Sequence, residues 1–400
     1  MTRMSPQNTG LTPVAAKAVL AVAVLALSAC ATSPAPETPQ PPAAVERSDA
    51  PVVDKPLDEL PVPVPVPPPP PPKPPISIAA VGDIMIGTDF PSNRLPPEDG
   101  ATSFSGVSDI LQDADVTFGN LEGVLQDGGE PFKVCKNPKL CYLFRTPAHY
   151  AKYFYDAGFD VMSLANNHAR DFGEEGRDSS MQALAQWGIS HSGRVGDIAR
   201  FTSGNYSLAM IAFAPNPGSY DINDIETAAA LVHDLSLEND LVLVSFHGGA
   251  EGTDAQHVTF ENEEYYGEQR GNVVEFSRRM VDEGADLVIG HGPHVVRGVE
   301  LYQDRLIAYS LGNFNTYFGI SIAGIKGLAP ILKVTLNESG QFLHGRIVST
   351  RQARPGGPQL DDTHEAALTI RALSLSDFGT TDLVIDDEGN MSRQDVKARP

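Results

Sequence analysis

The proline content of residues 31–75 limits where this chain can fold. That segment carries 18 of the 33 prolines in the 400-residue chain. Proline has no backbone N–H and a fixed φ, so a stretch this rich in proline cannot build a sheet or bury a core. Val-Pro alternation from Pro61 into Pro67–Pro72 predicts an extended spacer that rises about 3.1 Å per residue. A proline-rich ligand for a partner domain is the alternative. The folded part is therefore confined to residues 76–400, enough for one large domain or two modest ones.

The first thirty residues have the pattern of an export signal. Arg3 and Lys17 precede the apolar run Ala18–Leu27, which is ten residues long. A helix needs about 20 apolar residues to span a bilayer, so this run fits a signal peptide better than a membrane span. The sequence Leu27-Ser28-Ala29-Cys30 resembles the bacterial lipobox, and the alternative is ordinary secretion with an incidental cysteine. We expect a signal peptide at 1–29, lipidation at Cys30, and a periplasmic, outer-membrane location.

Export also bears on the other two cysteines. Cys135 and Cys141 form an even pair separated by five residues. Disulfides persist in exported compartments, so we expect these two cysteines to close a small loop. A metal-binding role is weaker, because no third cysteine lies nearby.

The charge balance excludes one class of partner. The chain has 29 basic and 51 acidic side chains, a net charge of −22. A surface this acidic repels phosphate backbones, so we expect no nucleic-acid binding. An anionic substrate remains acceptable if bound metal cations dominate the local field.

The body of the chain alternates β-branched apolar runs with helical stretches, which is typical of α/β folds. Strands are predicted at 77–86, 116–118, 160–164, 207–213, 241–246, 286–289 and 306–310, with a late antiparallel pair at 332–336 and 342–349. Helices are predicted near 146–157, 179–187 and 273–284. The organisation that follows is a linker at 30–75, a domain at 76–350, and a C-terminal extension at 351–400 packed on that domain.

Side chains of the types that bind metal ions lie near or just past the ends of these strands: Asp83, Glu122, Asn167, His168, His247, His291 and His294. The carboxyl ends of parallel strands meet at one edge of a sheet, where ligands bind. A lone histidine in such a place is more often structural. Four histidines grouped with carboxylates and an asparagine favour a site for one or two divalent ions, Mn, Zn or Fe.

These residues stand in motifs whose order is informative: Gly82-Asp83-Ile84-Met85, Gly119-Asn120-Leu121-Glu122, Asn166-Asn167-His168, Asp171-Phe172-Gly173, Ser245-Phe246-His247, Gly290-His291-Gly292-Pro293-His294 and Tyr309-Ser310-Leu311-Gly312-Asn313-Phe314. Together they resemble the CapA family, capsule-synthesis proteins associated with poly-γ-glutamate, over residues 76–350. The family is similar in fold to calcineurin-like metallophosphoesterases. The resemblance implies an α/β fold, a four-layer α/β/β/α sandwich, behind a proline-rich disordered N-terminal tether.

The resemblance also implies roles for individual residues. Asp83 would be a ligand of a first metal, and Glu122 or Asn120 would take the bridging position. Asn167 and His247 would be ligands of a second metal, His291 and His294 would close the site, and His168 would be the general acid. Three positions depart from the phosphoesterase pattern. Met85 stands where a histidine is usual, Asn120 where an aspartate is usual, and Ala169 where a glutamate is usual.

Some residues near the motifs have two interpretations. Glu251 and Arg297, with Asn120, are candidates for binding the substrate, while a loop charge or an ion pair is the alternative for the first two. Arg270 could bind a carboxylate through two parallel hydrogen bonds, but it is more simply interpreted as a surface or ion-pair residue. Asp171 and Gly173 are expected to cap the following helix.

Two functions are compatible with this sequence. The first is an envelope lipoprotein with a metal-dependent hydrolase site, phosphoesterase-like or acting on γ-glutamyl amides, in capsule or poly-γ-glutamate synthesis or processing. The second is a non-catalytic polymer-binding or export accessory subunit. Both imply a lipid anchor in the membrane, an anionic envelope polymer or small-molecule substrate, and contact with capsule or polyglutamate synthesis machinery. A fold of this type does not by itself establish catalysis.

Overall fold

The structure, a computed structural model, describes residues 71–134, 141–379 and 382–394. The predicted signal peptide, most of the predicted linker, Cys30 and Cys135 lie outside these residues, so lipidation and the Cys135–Cys141 disulfide stay predictions. Within the described ranges, no helix is both long enough and apolar enough to cross a membrane.

The described residues form six α-helices and four short 3₁₀ helices. The α-helices are α1 (Ser108–Gln112), α2 (Ala151–Ala157), α3 (Gly173–Gln186), α4 (Ile225–Glu238), α5 (Val273–Asp282) and α6 (Glu365–Phe378).

Twenty-one strands accompany these helices over the same described ranges. They are β1 (Ile76–Met85), β2 (Val116–Leu121), β3 (Val124–Leu125), β4 (Arg145–Thr146), β5 (Val161–Ser163), β6 (Ser190–Ser192), β7 (Ala199–Ser203), β8 (Tyr206–Phe213), β9 (Leu241–His247), β10 (Glu264–Tyr265), β11 (Glu268–Gln269), β12 (Leu287–His291), β13 (Val299–Tyr302), β14 (Arg305–Ala308), β15 (Asn313–Thr316), β16 (Ile331–Leu336), β17 (Phe342–Val348), β18 (Thr350–Gln352), β19 (Pro358–Leu360), β20 (Leu383–Ile385) and β21 (Asn390–Arg393).

Two large sheets organise the strands. The first runs β20-β21-β17-β16-β1-β2-β5-β6, and β15 pairs with the end of β1. In it β1, β2, β5 and β6 are parallel, while β16, β17, β20 and β21 are antiparallel to their neighbours. The second runs β13-β14-β12-β9-β8-β7, with four parallel strands inside and an antiparallel strand at each edge. The predicted late antiparallel pair is present as β16 and β17.

Side-chain alternation along the strands sorts the core into layers. Ile78 and Ala80 of β1 face the second sheet, where they share a cluster with Leu208 and Leu243. Ala79 and Val81 of the same strand face α1, α2 and α3, and the far face of the second sheet is covered by α4 and α5. The order of layers is therefore helices, sheet, sheet, helices. The predicted four-layer α/β/β/α sandwich is confirmed.

The C-terminal part of the chain contributes to the same body. Ala366, Ala367 and Ile370 of α6 pack with the apolar cluster between the sheets, and β20 and β21 extend the first sheet. Helix α4 has no counterpart among the sequence predictions, and α3 begins at Gly173, six residues before the predicted start.

Candidate metal centre

The predicted site residues come from two sheets rather than from one edge of a single parallel sheet. Asp83 lies in β1 and Glu122 directly follows β2, both in the first sheet. His247 ends β9 and His291 ends β12, in the second sheet, where the two histidines are register partners. The strand ends of both sheets therefore meet at one place, which corrects the expectation of one edge.

Two glycines let the backbone close up behind the site. A methyl group on Gly82 would lie 2.0 Å from the Gly312 carbonyl oxygen, and one on Gly290 would lie 2.4 Å from the Tyr309 oxygen. No side chain fits at either position. The missing side chains allow β1 and β12 to pack directly against the segment 309–312, which places Asp83 and His291.

Asp83, Glu122 and His294 form the centre of the site. Each offers one ligand atom, and those atoms all lie within 4.8 Å of one another. His294 Nδ1 is 3.1 Å from Asp83 Oδ2, and its Nε2 is 3.6 Å from Glu122 Oε1. His291 Nδ1 lies 3.3 Å from Asp83 Oδ1, so the second imidazole borders the same carboxylate. Both carboxylates are fully buried.

His294 is held in an uncommon backbone conformation. Its φ is +57°, a left-handed value that costs free energy for a residue with a side chain. Asn313 compensates by donating from Nδ2 to the His294 carbonyl oxygen at 3.1 Å, while its Oδ1 lies 3.0 Å from His294 Nδ1. The loop conformation thus turns the imidazole toward Asp83.

Asn120 and Asn166 form a buried chain of hydrogen bonds that begins at Asp83. Asn120 Nδ2 donates to Asp83 Oδ1 at 2.8 Å, and Asn120 Oδ1 accepts from Asn166 Nδ2 at 3.1 Å. Asn166 Oδ1 in turn accepts from the His168 backbone N–H. Both polar atoms of Asn120 are therefore engaged inside the protein. Asn120 was predicted to bind substrate or to bridge two metals. In the structure its side chain instead orients Asp83.

Several buried polar atoms of the predicted site residues have no hydrogen-bond partner within the described part of the chain: both oxygens of Glu122, both ring nitrogens of His247, both ring nitrogens of His291, and Oδ1 of Asn167. An unpaired buried polar group costs about 1–3 kcal/mol, so a fold does not collect them without a reason. Carboxylate, imidazole and amide oxygen are together a donor set for Mn, Zn or Fe. The residues present therefore fit a divalent cation, whose identity this donor set leaves open.

The electrostatics of the site agree with that assignment. Burial opposes ionisation of Asp83, but the contacts with His291 and His294 outweigh it and hold the pKa of Asp83 well below its usual value. Burial raises the pKa of Glu122, with the Asp83 and Glu251 charges adding to the effect. For His294, burial is outweighed by Glu122 and Asp83, so its pKa is raised. Without a cation the centre thus depends on bound protons to offset its negative charge.

His168 has a partner that the sequence analysis assigned elsewhere. Its Nδ1 lies 2.7 Å from Asp171 Oδ2, and Phe144 packs on the ring with centroids 4.3 Å apart. Asp171 is fully buried, and it also accepts from the Phe144 backbone N–H at 2.8 Å. The prediction that Asp171 caps a helix is wrong, because the N-cap of α3 is Phe172 and no side chain caps it. Burial lowers the pKa of His168, and the Asp171 charge opposes this.

The two remaining substrate-binding candidates differ in their surroundings. Glu251 borders the centre, with Oε2 3.9 Å from His294 Nε2. Arg297 is fully buried, and all three of its guanidinium nitrogens have partners, namely Glu263 and the carbonyl oxygens of Ala250 and Ala255. Arg297 therefore holds a loop together and has no nitrogen free for substrate. Met85 and Ala169, two of the departures from the phosphoesterase pattern, are buried side chains that fill space beside the site.

A comparison with known sequence families decides where this chain belongs. The family described as "Bacterial capsule synthesis protein PGA_cap" matches residues 77–317. The chain belongs to this family. The match begins in β1 and ends after β15, so it contains every residue of the metal centre, and the resemblance predicted from the motifs is confirmed.

Two curated relatives of this family member come from Bacillus. "Capsule biosynthesis protein CapA" of Bacillus anthracis is 29% identical over 263 residues, covering 60% of this chain and 59% of that protein. "PGA biosynthesis protein CapA" of Bacillus subtilis (strain 168) is 27% identical over 260 residues, covering 60% of this chain and 63% of that protein. The chain thus spans about six tenths of the length of these relatives.

Among solved structures, a 5′-nucleotidase precursor from Thermus thermophilus is similar to this chain at 12% identity, with a TM-score of 0.40. That likeness covers 76% of this chain and 59% of the nucleotidase chain. A similarity this low supports no statement about activity.

Proposed function

We propose that this chain is a metal-dependent hydrolase of the cell envelope that acts on an anionic substrate in the synthesis or processing of a capsule or of poly-γ-glutamate. One observation carries the proposal. Buried oxygens of Glu122 and ring nitrogens of His291, which make no hydrogen bond among the described residues, lie beside Asp83 and His294. A binding cation would satisfy them together. The names of the Bacillus relatives support the link to capsule and polyglutamate.

Asp83, Glu122 and His294 would hold the cation, and His247, His291 and Asn167 would complete its surroundings. When bound, a divalent cation supplies Lewis-acid activation of water and of a substrate oxygen at neutral pH. The cation would also offset the net charge of −22, which otherwise repels an anionic substrate.

His168 would deliver the proton to the leaving group. Asp171 holds its Nδ1, so the hydrogen on that nitrogen is fixed and Nε2 is the atom that faces a substrate. Burial lowers the pKa of His168, and the Asp171 charge opposes that effect, so Asp171 favours the protonated ring that donates from Nε2. Phe144 stacks on the ring and keeps its orientation.

The location follows from the N-terminus. Cys30 would carry lipid after removal of residues 1–29, and the proline-rich residues 30–75 would hold the domain away from the membrane on the periplasmic side. Such a tether suits a substrate that is a growing or exported polymer. The partners would be that polymer and the machinery that makes it.

A second candidate function is a non-catalytic accessory subunit that binds the polymer. The observation that favours it is the amide of Asn120, which donates to Asp83 at the position where related phosphoesterases place a carboxylate. Loss of a negative ligand weakens the hold on a second metal ion. This candidate needs the pocket but not the proton donor.

Replacing His168 separates the two functions. The full chain, supplied with Mn²⁺, is assayed on a phosphodiester and on a γ-glutamyl amide, beside His168→Ala and the control His344→Ala, which changes an exposed histidine of β17. We expect His168→Ala to lower the hydrolysis rate about 10²- to 10⁴-fold, the range for loss of a general acid, with metal content unchanged. Polymer retention without hydrolysis by the wild type, equal in His168→Ala, would favour the accessory subunit instead.

A further inference from the structure

Arg270 is a buried guanidinium whose hydrogen bonds are incomplete. It lies directly after β11, and its side chain is only 1% exposed. Nε donates to the Gly249 carbonyl oxygen at 3.0 Å, and Nη1 donates to Glu268 Oε2 at 2.8 Å. The third nitrogen, Nη2, is buried and has no hydrogen-bond partner among the residues that the structure describes. The bonds of Nε and Nη1 fix the orientation of the guanidinium, and the N–H groups of Nη2 make no hydrogen bond among the described residues.

This nitrogen borders the metal centre, from which Glu251 separates it. A methyl group on Gly292 would be 2.9 Å from Arg270 Nη2, so the guanidinium reaches this place only because residue 292 has no side chain. Gly292 directly follows His291, whose Nδ1 borders Asp83. The Arg270 charge also acts on His247: after burial, it is the main cause of the lowered pKa of that histidine. The free N–H groups are therefore close to the metal-binding side chains.

A protein carboxylate already lies beside this nitrogen. Glu251 Oε1 is 3.2 Å from Arg270 Nη2 without forming a hydrogen bond, and Glu251 Oε2 is 3.9 Å from His294 Nε2. Glu251 stands on the short loop between Gly249 and Gly252, both with positive φ, and its side chain is 15% exposed. An oxyanion of carboxylate size therefore fits between Arg270 and His294.

Arg297 contacts the same loop as Arg270, but its hydrogen bonds are complete. Its Nη1 and Nη2 donate to the two oxygens of Glu263 at 2.8 and 2.6 Å, which is a complete bidentate pair. Arg270 has the same burial but lacks such a fork. Arginine forks recognise carboxylate and phosphate groups by two parallel hydrogen bonds, so the open Nη2 is suited to that ligand class.

We propose that Arg270 is the residue that recognises an oxyanion group of the substrate, phosphoryl or carboxylate, beside the metal-binding side chains. The inference rests on the proposed function, and it identifies the chemical group by which the site would recognise its substrate. Glu251 competes for the same place, because its carboxylate borders both Arg270 and His294. An entering oxyanion takes the hydrogen bonds of Nη2, and Glu251 moves out on its glycine-flanked loop.

Binding of simple anions tests this assignment without any turnover. Inorganic phosphate and glutarate are titrated calorimetrically into the full chain loaded with Mn²⁺, and the metal content of every sample is measured. Arg270→Lys keeps the charge but loses the fork, so we expect binding to weaken about tenfold, the equivalent of one charge-assisted hydrogen bond. Glu251→Gln removes the competitor, and we expect binding to tighten about threefold or more. Arg346→Gln, at an exposed arginine of β17, removes a distant charge and should leave binding unchanged.

The two variants have opposite expected signs, so either of them decides the matter if the other fails to fold. The tighter of the two probes identifies the oxyanion that the site prefers. Equal binding by wild type and Arg270→Lys, with Mn²⁺ retained, would overturn the role of Arg270 and leave the metal centre standing. Weaker binding by Glu251→Gln would overturn the competition. A wild type that holds no Mn²⁺ would remove the proposed function and this inference together.

Discussion

Two buried polar clusters lie close together in this fold, and they differ in completeness. In the first, Arg297 and Glu263 satisfy each other, and Arg297 also donates to the backbone of residues 250 and 255. In the second, here called the open cluster, Glu122, His247 and His291 bring oxygens and nitrogens into the interior that have no hydrogen-bond partner among the described residues. Burial is nearly total in both.

The difference indicates what each cluster is for. A complete set of hydrogen bonds makes a buried charge compatible with the fold, so the first cluster belongs to the architecture. Buried polar groups without hydrogen bonds destabilise the fold until a ligand binds them, so we infer that the second cluster binds a ligand. Substitutions in the two clusters should therefore affect different properties, the fold in one case and metal binding in the other.

The largest expected effect is on the complete cluster. Arg297→Gln leaves the Glu263 carboxylate buried without its partner, and we expect the free energy of unfolding of the metal-free chain to fall by about 3–5 kcal/mol. Urea denaturation measures this. The control is Arg200→Gln, at a half-exposed arginine that pairs with Glu238 on the surface and should change stability by less than about 1 kcal/mol. A loss for Arg297→Gln as small as the control would contradict a structural role.

Glu122→Gln should have little effect on the stability of the metal-free chain and a large effect on metal affinity. Both Glu122 oxygens lack partners and burial raises the pKa of this carboxyl, so an uncharged side chain of the same shape costs the metal-free fold little. We expect unfolding to change by less than about 1 kcal/mol, while Mn²⁺ affinity falls at least about 100-fold, since even outer partners of a metal are worth 10- to 100-fold. Calorimetric titration and urea denaturation on one sample give both numbers. Unchanged affinity together with a destabilised fold would make Glu122 a structural residue.

Asn120→Asp sharpens the comparison by making the open cluster more negative. The change replaces an amide that donates to Asp83 Oδ1 at 2.8 Å by a second carboxylate. We expect the metal-free chain to lose about 1.5–3 kcal/mol, the worth of a hydrogen bond to a charged group, and Mn²⁺ to restore the loss and bind more tightly.

The exposed residue Asn93 supplies the control for that experiment. Its Oδ1 accepts from the Leu95 backbone N–H, a bond that an aspartate keeps, so Asn93→Asp should change neither quantity. If Asn120→Asp were neutral without metal, Asn120 would not be the residue that orients Asp83.

The smallest effect concerns a carboxyl outside both clusters. Burial raises the pKa of Asp286 to about 6, against opposing contacts from the Val242 N–H and Arg305. The native state therefore keeps this proton more tightly than the unfolded chain. Its contribution to stability is complete at low pH and is lost as pH rises through about 6. Between pH 5 and pH 7 we expect the wild type to lose about 1 kcal/mol relative to Asp286→Asn. Parallel stability curves for the two proteins would show that Asp286 titrates normally.

Much of the fold was predictable because it depends on local pattern. The buried strand Leu241–His247 is apolar apart from Ser245 and its last residue, His247, which therefore stands out by contrast. Helix α4 was missed because its alanine-rich sequence carries a weak pattern beside the strands around it.

The site was less predictable where long-range pairing decides the outcome. Nothing local to Asp171 distinguishes a helix cap from the partner of His168, because the deciding contacts come from His168 and the Phe144 backbone. The sequence likewise did not separate the structural role of Arg297 from that of Arg270. Glu263 forms a bidentate pair with Arg297, whereas Nη2 of Arg270 has the Glu251 carboxylate at 3.2 Å but no hydrogen bond among the described residues.

The central claim is that the open cluster holds a divalent cation, and elemental analysis tests it most directly. The full chain is purified without chelator beside His247→Ala, with the exposed His344→Ala as control. We predict one or two Mn, Zn or Fe ions per chain in wild type and control, and a marked loss in His247→Ala, whose imidazole nitrogens have no other partner among the described residues. A wild-type chain that stays free of metal after incubation with each of the three ions would contradict the account.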